Sequence, residues 1–291
     1  MDISLALGGG GAKGNAHIGV LRRLEQEGFR IRAVAGTSFG GLVAVFYAAG
    51  FGPDEIEARF SKVDQSRLFG RGSGEGPSLL GLAGVTKFLE ESFGGKTFDD
   101  LRLPCAVTAV DLKSAREVIL NKGPLRDAVL ATIALPSIFP PRRIRDWDLV
   151  DGGTLDPVPV SVARGLAPGL PVAAVVLSSP VGAPTHSHGV TFPGLPAPIA
   201  RRLTGFRLAQ AFEIFMQALD ISSRELTELR LQADAPEVIV RPDVSQIQLL
   251  DKVDVSAVAK LGEQALDEVL PDLRRVAAWP ARLARSFRRR V

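Results

Sequence analysis

The chain has 291 residues, 46% of them apolar and 23% charged, enough to bury a large core and too apolar for extended disorder. Its formal charge of +3 hides an asymmetry: seven Arg and no acid lie between Arg274 and Val291, leaving 28 of the 35 basic groups against all 32 acidic ones in the body. One cysteine, Cys105, excludes a disulfide framework and a thiolate-rich zinc site, and no uninterrupted 18-residue apolar span offers a membrane crossing. Asp2, with no basic segment ahead of the first glycines, predicts that no leader peptide precedes the fold.

In chain order, Ile3 to Leu7 reads as a strand, Lys13 to Gln26 as a helix, Ile31 to Ala35 as a second strand and Ser38 to Ala49 as a second helix. A helix near Leu79 to Glu91 leads to the strand "CAVTAV", which carries Cys105 as a buried thiol, and to a neighbouring strand "EVILN". "PLRDAVLATIA" is a helix with Pro at its first position. A short strand ends at Asp151, "VAAVVLS" is a buried strand, and "EVIVRP" is a late one. Between them, "SSPVGAPTHSHGVTFPGLPAP" has no period and precedes a long helical region, Ile199 to Leu231, with a break expected near Ser222. Strands alternating with helices predict an α/β fold whose helices cover a largely parallel sheet.

The first strand runs into "GGGGAKG". Gly9, Gly11 and Gly14 satisfy G-x-G-x-x-G, but the second strand ends without the acid that a dinucleotide ribose needs. Lys13 is followed by Gly14 rather than a hydroxyl, so the phosphate-loop pattern also lacks its deciding residue.

The second strand runs into "GTSFG", Gly36 to Gly40. G-x-S-x-G between a strand and a helix describes a nucleophile elbow, in which the glycines clear a sharp turn and Ser38 projects from it. Adjacent βα turns of a parallel sheet share one edge, so the glycine cluster lies where its N–H groups can meet a developing oxyanion. A serine nucleophile needs a base. The candidates are His17 in the first helix, His186 and His188 in the irregular stretch, and Asp151, which is followed by two glycines.

Taken together, these segments resemble the patatin-like phospholipase family, most closely its bacterial branch related to neuropathy target esterase. "GGGGAKGNAHIGVL" is similar to the family's glycine-rich motif, "GTSFG" to its nucleophile motif and "VDGGTLDPVPV" to its D-G-G motif, in the family's order. The likeness runs from about Ile3 to a helix ending near Leu270. It implies a three-layer α/β/α fold, related to but distinct from the α/β-hydrolase fold, as a catalytic domain over 1–273 with a basic tail over 274–291. It also implies a Ser38–Asp151 dyad without His, and an oxyanion hole from Gly9, Gly10 and Gly11, with Gly10 and Gly11 the main donors. Gly36, Gly40, Gly14, Gly152 and Gly153 support the elbow and motifs. Lys13 either braces the glycine loop or faces solvent. Two positions depart from the family pattern: Ser137 stands where Gly is common, and Asp156 where Asn is common.

The activity so implied is cleavage of phospholipid, lysophospholipid or another acyl ester through an acyl-enzyme, with no cofactor and no metal. Proximity to the motifs makes Phe39, Leu42, Phe69, Leu79, Leu135, Ile138 and Phe139 the walls of an acyl groove. In the tail, Leu283, Phe287 and Val291 form an apolar stripe flanked by Arg, a pattern suited to an anionic membrane surface. The expected location is the cytoplasm, peripheral to the inner face of the membrane. No nucleic acid is expected as a partner, because no reading motif accompanies the Arg run; a homo-oligomer is left open. A carboxylesterase or thioesterase for short acyl substrates, and a non-catalytic membrane-associated protein, are the competing classes.

Overall fold

The computed structural model describes residues 1–72, 76–182 and 207–278, the side chains of 207–213 excepted. Its strands are β1 (Asp2–Leu7), β2 (Arg30–Thr37), β3 (Cys105–Asp111), β4 (Arg116–Leu120), β5 (Arg142–Ile144), β6 (Trp147–Asp151), β7 (Val172–Val175) and β8 (Val238–Val240). The helices are α1 (Ala16–Gln26), α2 (Phe39–Ala48), α3 (Pro53–Ser61), α4 (Ala83–Phe93), α5 (Leu125–Thr132), α6 (Val160–Leu166), α7 (Arg207–Asp234) and α8 (Val255–Ala277).

All eight strands form one sheet. β3, β2, β1, β7 and β8 run parallel in that order, and β4, β5 and β6 make an antiparallel wing around β3. β1 shows why helices cover both faces. Leu5 and Leu7 point into the larger core beside α1, α2 and α8, while Ala6 points to a smaller cluster beneath α6 and α7, and none of the three is exposed. Period-2 alternation in a strand apolar on both sides forces cover above and below. The result is a three-layer α/β/α arrangement.

The register of β3 positions the site. Thr37, the last residue of β2, pairs with Thr108 in parallel, and Asp151, the last residue of β6, pairs antiparallel with the next residue, Ala109. β2 and β6 therefore approach end to end along β3, and the turns that leave the two strands are delivered to one place.

Local departures from the sequence reading have simple causes. α4 starts at Ala83 rather than near Leu79, because the Leu79 and Leu80 N–H groups donate to the carbonyls of Ser137 and Ile138. α7 is continuous through Ser222, since serine there costs only helix propensity and no proline interrupts the ladder. α3 and α6 are short, and the proline-rich starts that seed them read as turns. The stretch holding His186 and His188, and the tail from Trp279 with Leu283, Phe287 and Val291, lie outside the described residues. Among the described residues no helix is long and apolar enough to cross a membrane.

Candidate active site

Ser38 is the hinge between β2 and α2. Its φ of 55° lies in a region that L residues avoid, so the turn survives only because its surroundings hold it. A Cβ on Gly36 would collide with the backbone of Gly40 and Gly41, and one on Gly40 with the carbonyls of Leu7 and Gly8. The elbow therefore needs glycine at both ends of "GTSFG". The Ser38 N–H is fixed by the Thr132 hydroxyl at 2.8 Å, and its Oγ donates to Asp151 Oδ2 at 2.5 Å.

Asp151 is 4% exposed. Its other oxygen accepts the Gly153 N–H at 2.8 Å, within the tight turn over Gly152–Thr154. Burial raises its pKa to about 6, against the hydrogen bonds from Ser38 and Gly153, which favour the charged form. An acid so tuned is a better base near neutrality than an exposed aspartate.

The glycine loop lies across β1's end, beside Ser38. Its amides divide cleanly: Gly8 donates to the Val175 carbonyl, Gly9 to Pro157, Ala12 to Leu249 and Lys13 back to Gly10. Among the described residues, the Gly10 and Gly11 N–H groups have no acceptor. Gly9 is thus committed elsewhere, and only the next two amides are available to an oxygen placed by Ser38. Gly14 packs against the Phe39 ring. His17, the one histidine among the described residues, is fully buried; its Nε2 bonds the Gly8 carbonyl at 2.8 Å, away from Ser38. Burial pushes its pKa down to about 4, so it is neutral and braces the loop. Lys13 is half-buried, its pKa lowered by desolvation, amid Asp220 and Arg224 of α7 and Asp251.

Ser38 and Asp151 open into an apolar groove of about 340 Å³. Phe39, Leu42, Phe69, Leu135 and Phe139 line it as expected from sequence. Leu79 and Ile138 do not: the hydrogen bonds pairing 79–80 with 137–138 leave Leu79 48% exposed and turn Ile138 into the core. Sequence proximity missed Phe60 and Phe88, on α3 and α4, and the segment from Leu249 to Val253, which closes one wall. Only contacts distant in sequence bring those residues in, and no local pattern marks them. Thr132 is another omission; it reads as an ordinary helical residue until α5 packs beside α2 and brings its hydroxyl to the Ser38 amide. Ser137 adopts a φ of 68°, which explains why its position suits glycine.

The sequence profile of the patatin-like phospholipase family matches residues 5–164, more than half of the chain. An uncharacterized NTE family protein of Mycobacterium tuberculosis is 34% identical over 183 residues, covering 62% of this chain and 50% of that protein. A second from the same organism is 29% identical over 285 residues, covering 94% and 47%. Lysophospholipase NTE1 of Mycosarcoma maydis is 31% identical over 180 residues, 56% of this chain and 9% of that protein. The chain spans about half the length of the mycobacterial relatives it matches. With that profile covering more than half of its length, including both the "GTSFG" elbow and the Asp151 turn, the chain belongs to the patatin-like phospholipase family.

Proposed function

We propose that the chain is a serine lipid acyl hydrolase of phospholipase A or lysophospholipase type, of the branch related to neuropathy target esterase, acting through a Ser38–Asp151 dyad. The 2.5 Å contact between Ser38 Oγ and Asp151 Oδ2, at the base of an apolar groove, carries the reading. The two unclaimed amides of Gly10 and Gly11 add to it.

In the first half-reaction Ser38 Oγ attacks the ester carbonyl carbon and its proton passes to Asp151 Oδ2. Negative charge gathers on the former carbonyl oxygen, where the Gly10 and Gly11 N–H groups hold it. Collapse breaks the ester C–O bond, the departing alcohol takes the proton from Asp151, and the acyl group stays on Ser38. Water then attacks the acyl carbon and gives its proton to Asp151. The second tetrahedral oxygen collapses, Ser38 leaves and recovers the proton, and a fatty acid departs. The groove receives the acyl chain, and burial there favours longer chains by up to about fourfold per methylene. Substrates of this kind lie in membranes, and the Arg-rich tail gives the protein a means to stay at the cytoplasmic face of an anionic one.

Kinetics on nitrophenyl esters of increasing chain length, lysophospholipid and phospholipid, with wild type and Ser38→Ala, test the proposal. kcat/KM is expected to rise with chain length and to fall to background in Ser38→Ala, with thermal unfolding unchanged. A folded Ser38→Ala variant keeping a tenth of wild-type turnover overturns the nucleophile. Turnover restricted to the shortest esters overturns the lipid substrate and leaves a carboxylesterase.

A further inference from the structure

Behind the D-G-G turn lies a buried charged cluster that the dyad chemistry does not use. Asp156 is fully buried, and neither of its carboxylate oxygens receives a hydrogen bond among the described residues. Arg230 of α7 stands 3.2 Å from Oδ2, close enough to pair but out of hydrogen-bond alignment. The same Arg230 nitrogen lies 3.7 Å from Glu117 on β4, and Asp234 follows Arg230 along α7. Arg230, Glu117 and Asp234 are the charged groups that act on Asp156. Two carboxylates share one guanidinium and a third acid, Asp234, acts on Asp156, which leaves Asp156 short of both donors and countercharge, a state that a bound proton relieves.

The main chain at this residue reaches all three sequence motifs. The Asp156 N–H donates to the Gly152 carbonyl at 2.8 Å, closing the D-G-G turn. The Asp156 carbonyl accepts the Thr37 hydroxyl at 2.9 Å, one residue before Ser38. The next carbonyl, of Pro157, accepts the Gly9 N–H at 3.0 Å and so holds the glycine loop. Displacing this turn disturbs base, nucleophile and oxyanion donors together.

We infer that Asp156 is a positioning residue: its buried carboxyl, set near Glu117 and Arg230 and carrying a proton, fixes the turn whose carbonyls keep the elbow and the glycine loop in register. Losing that proton places another negative charge beside Glu117 and Asp234 and strains the turn. Burial first, with the two acidic neighbours, holds the Asp156 carboxyl up near pH 7, against the pull of Arg230. Turnover then falls as pH rises above about 7, without a change in substrate affinity. The kinetic consequence rests on the hydrolase reading; the backbone consequence does not.

Two measurements on the full chain test the inference. The first is kcat and KM on a soluble short-chain nitrophenyl ester from about pH 5 to 9, for wild type, Asp156→Asn and Arg230→Gln. Wild-type kcat is expected to fall about tenfold between pH 7 and 9 with KM level, the scale of a small misplacement of reacting groups. Asp156→Asn keeps the shape of the protonated acid but cannot ionise, so its kcat stays level over that range. Arg230→Gln removes the cation that favours the carboxylate and moves the fall upward by about one pH unit. The second is hydrogen–deuterium exchange of the segments carrying Gly9 and Thr37, corrected for intrinsic rates. Their protection should drop in wild type above pH 7 and hold in Asp156→Asn. Superimposable pH responses of wild type and Asp156→Asn overturn the inference. If no form turns over ester, the hydrolase reading fails and the exchange comparison alone decides the role of Asp156.

Discussion

At the scale of single residues, the proposed dyad rests on how burial tunes Asp151. Its pKa, raised from 3.8 to about 6, means the native state holds a proton over a range where the unfolded chain has released it. Stability from this group is therefore full below about pH 4 and is lost as pH rises through 6, whereas kcat rises through the same window as the base ionises. Asp151→Asn is expected to cut kcat by about 100-fold or more. The same substitution is expected to raise unfolding stability at pH 8 by about 2–3 kcal/mol, since it removes a buried charge. Activity assays with denaturant unfolding at pH 5 and 8 check both; a variant less stable than wild type at both pH values contradicts the tuning. Ser38 and Asp151 are legible in sequence because each sits in a short glycine-flanked motif. Asp156 is legible only as a departure from a family pattern, because its neighbours Glu117 and Arg230 are far along the chain.

At the scale of elements, two glycines set how closely the first and last described helices cross. A Cβ on Gly19 of α1 would strike the Ala259 carbonyl, and one on Gly262 of α8 would strike the Ala16 carbonyl, each backbone atom of the opposing helix. Gly262→Ala gains about 1 kcal/mol of helix propensity in isolation. Forcing the helices apart costs more, typically about 1–3 kcal/mol for overpacking and greater against rigid backbone. A net loss of stability is therefore expected, with the chain-length series for ester hydrolysis unshifted; a thermal melt at or above wild type contradicts the close crossing. Strands β1, β2, β3 and β7 are visible as apolar runs, and α1, α2 and α5 by their periodicity. The wing strand β5 has three residues and no apolar alternation, so nothing local announces it. The segment before α8 is equally silent, yet it supplies Leu249 and Leu250 to the groove. Sequence reading finds elements that carry their own pattern, and it loses walls built from contacts across the chain.

At the scale of the whole molecule, the separation of charge matters most. The body carries more acid than base, and five of the seven terminal Arg follow Ala278. Arg274, still within α8, is tied to Glu27, and Arg275 to Asp272. Arg residues near an anionic bilayer each contribute about 1 kcal/mol, declining with salt. Truncation after Ala278 spares α8 and is expected to weaken sedimentation with anionic vesicles at low salt. It should also lower turnover of vesicle phospholipid several-fold and leave turnover of a soluble short-chain ester unchanged. Equal vesicle binding by both forms removes the tail from the mechanism. The central claim, that Ser38 is a nucleophile activated by Asp151, is tested most directly by fluorophosphonate labelling read by peptide mass spectrometry. One phosphonyl group on Ser38 is predicted in wild type, with labelling slowed by about 100-fold or more in Asp151→Asn. Folded wild-type protein that stays unlabelled at Ser38, or an Asp151→Asn variant labelled as fast as wild type, contradicts it.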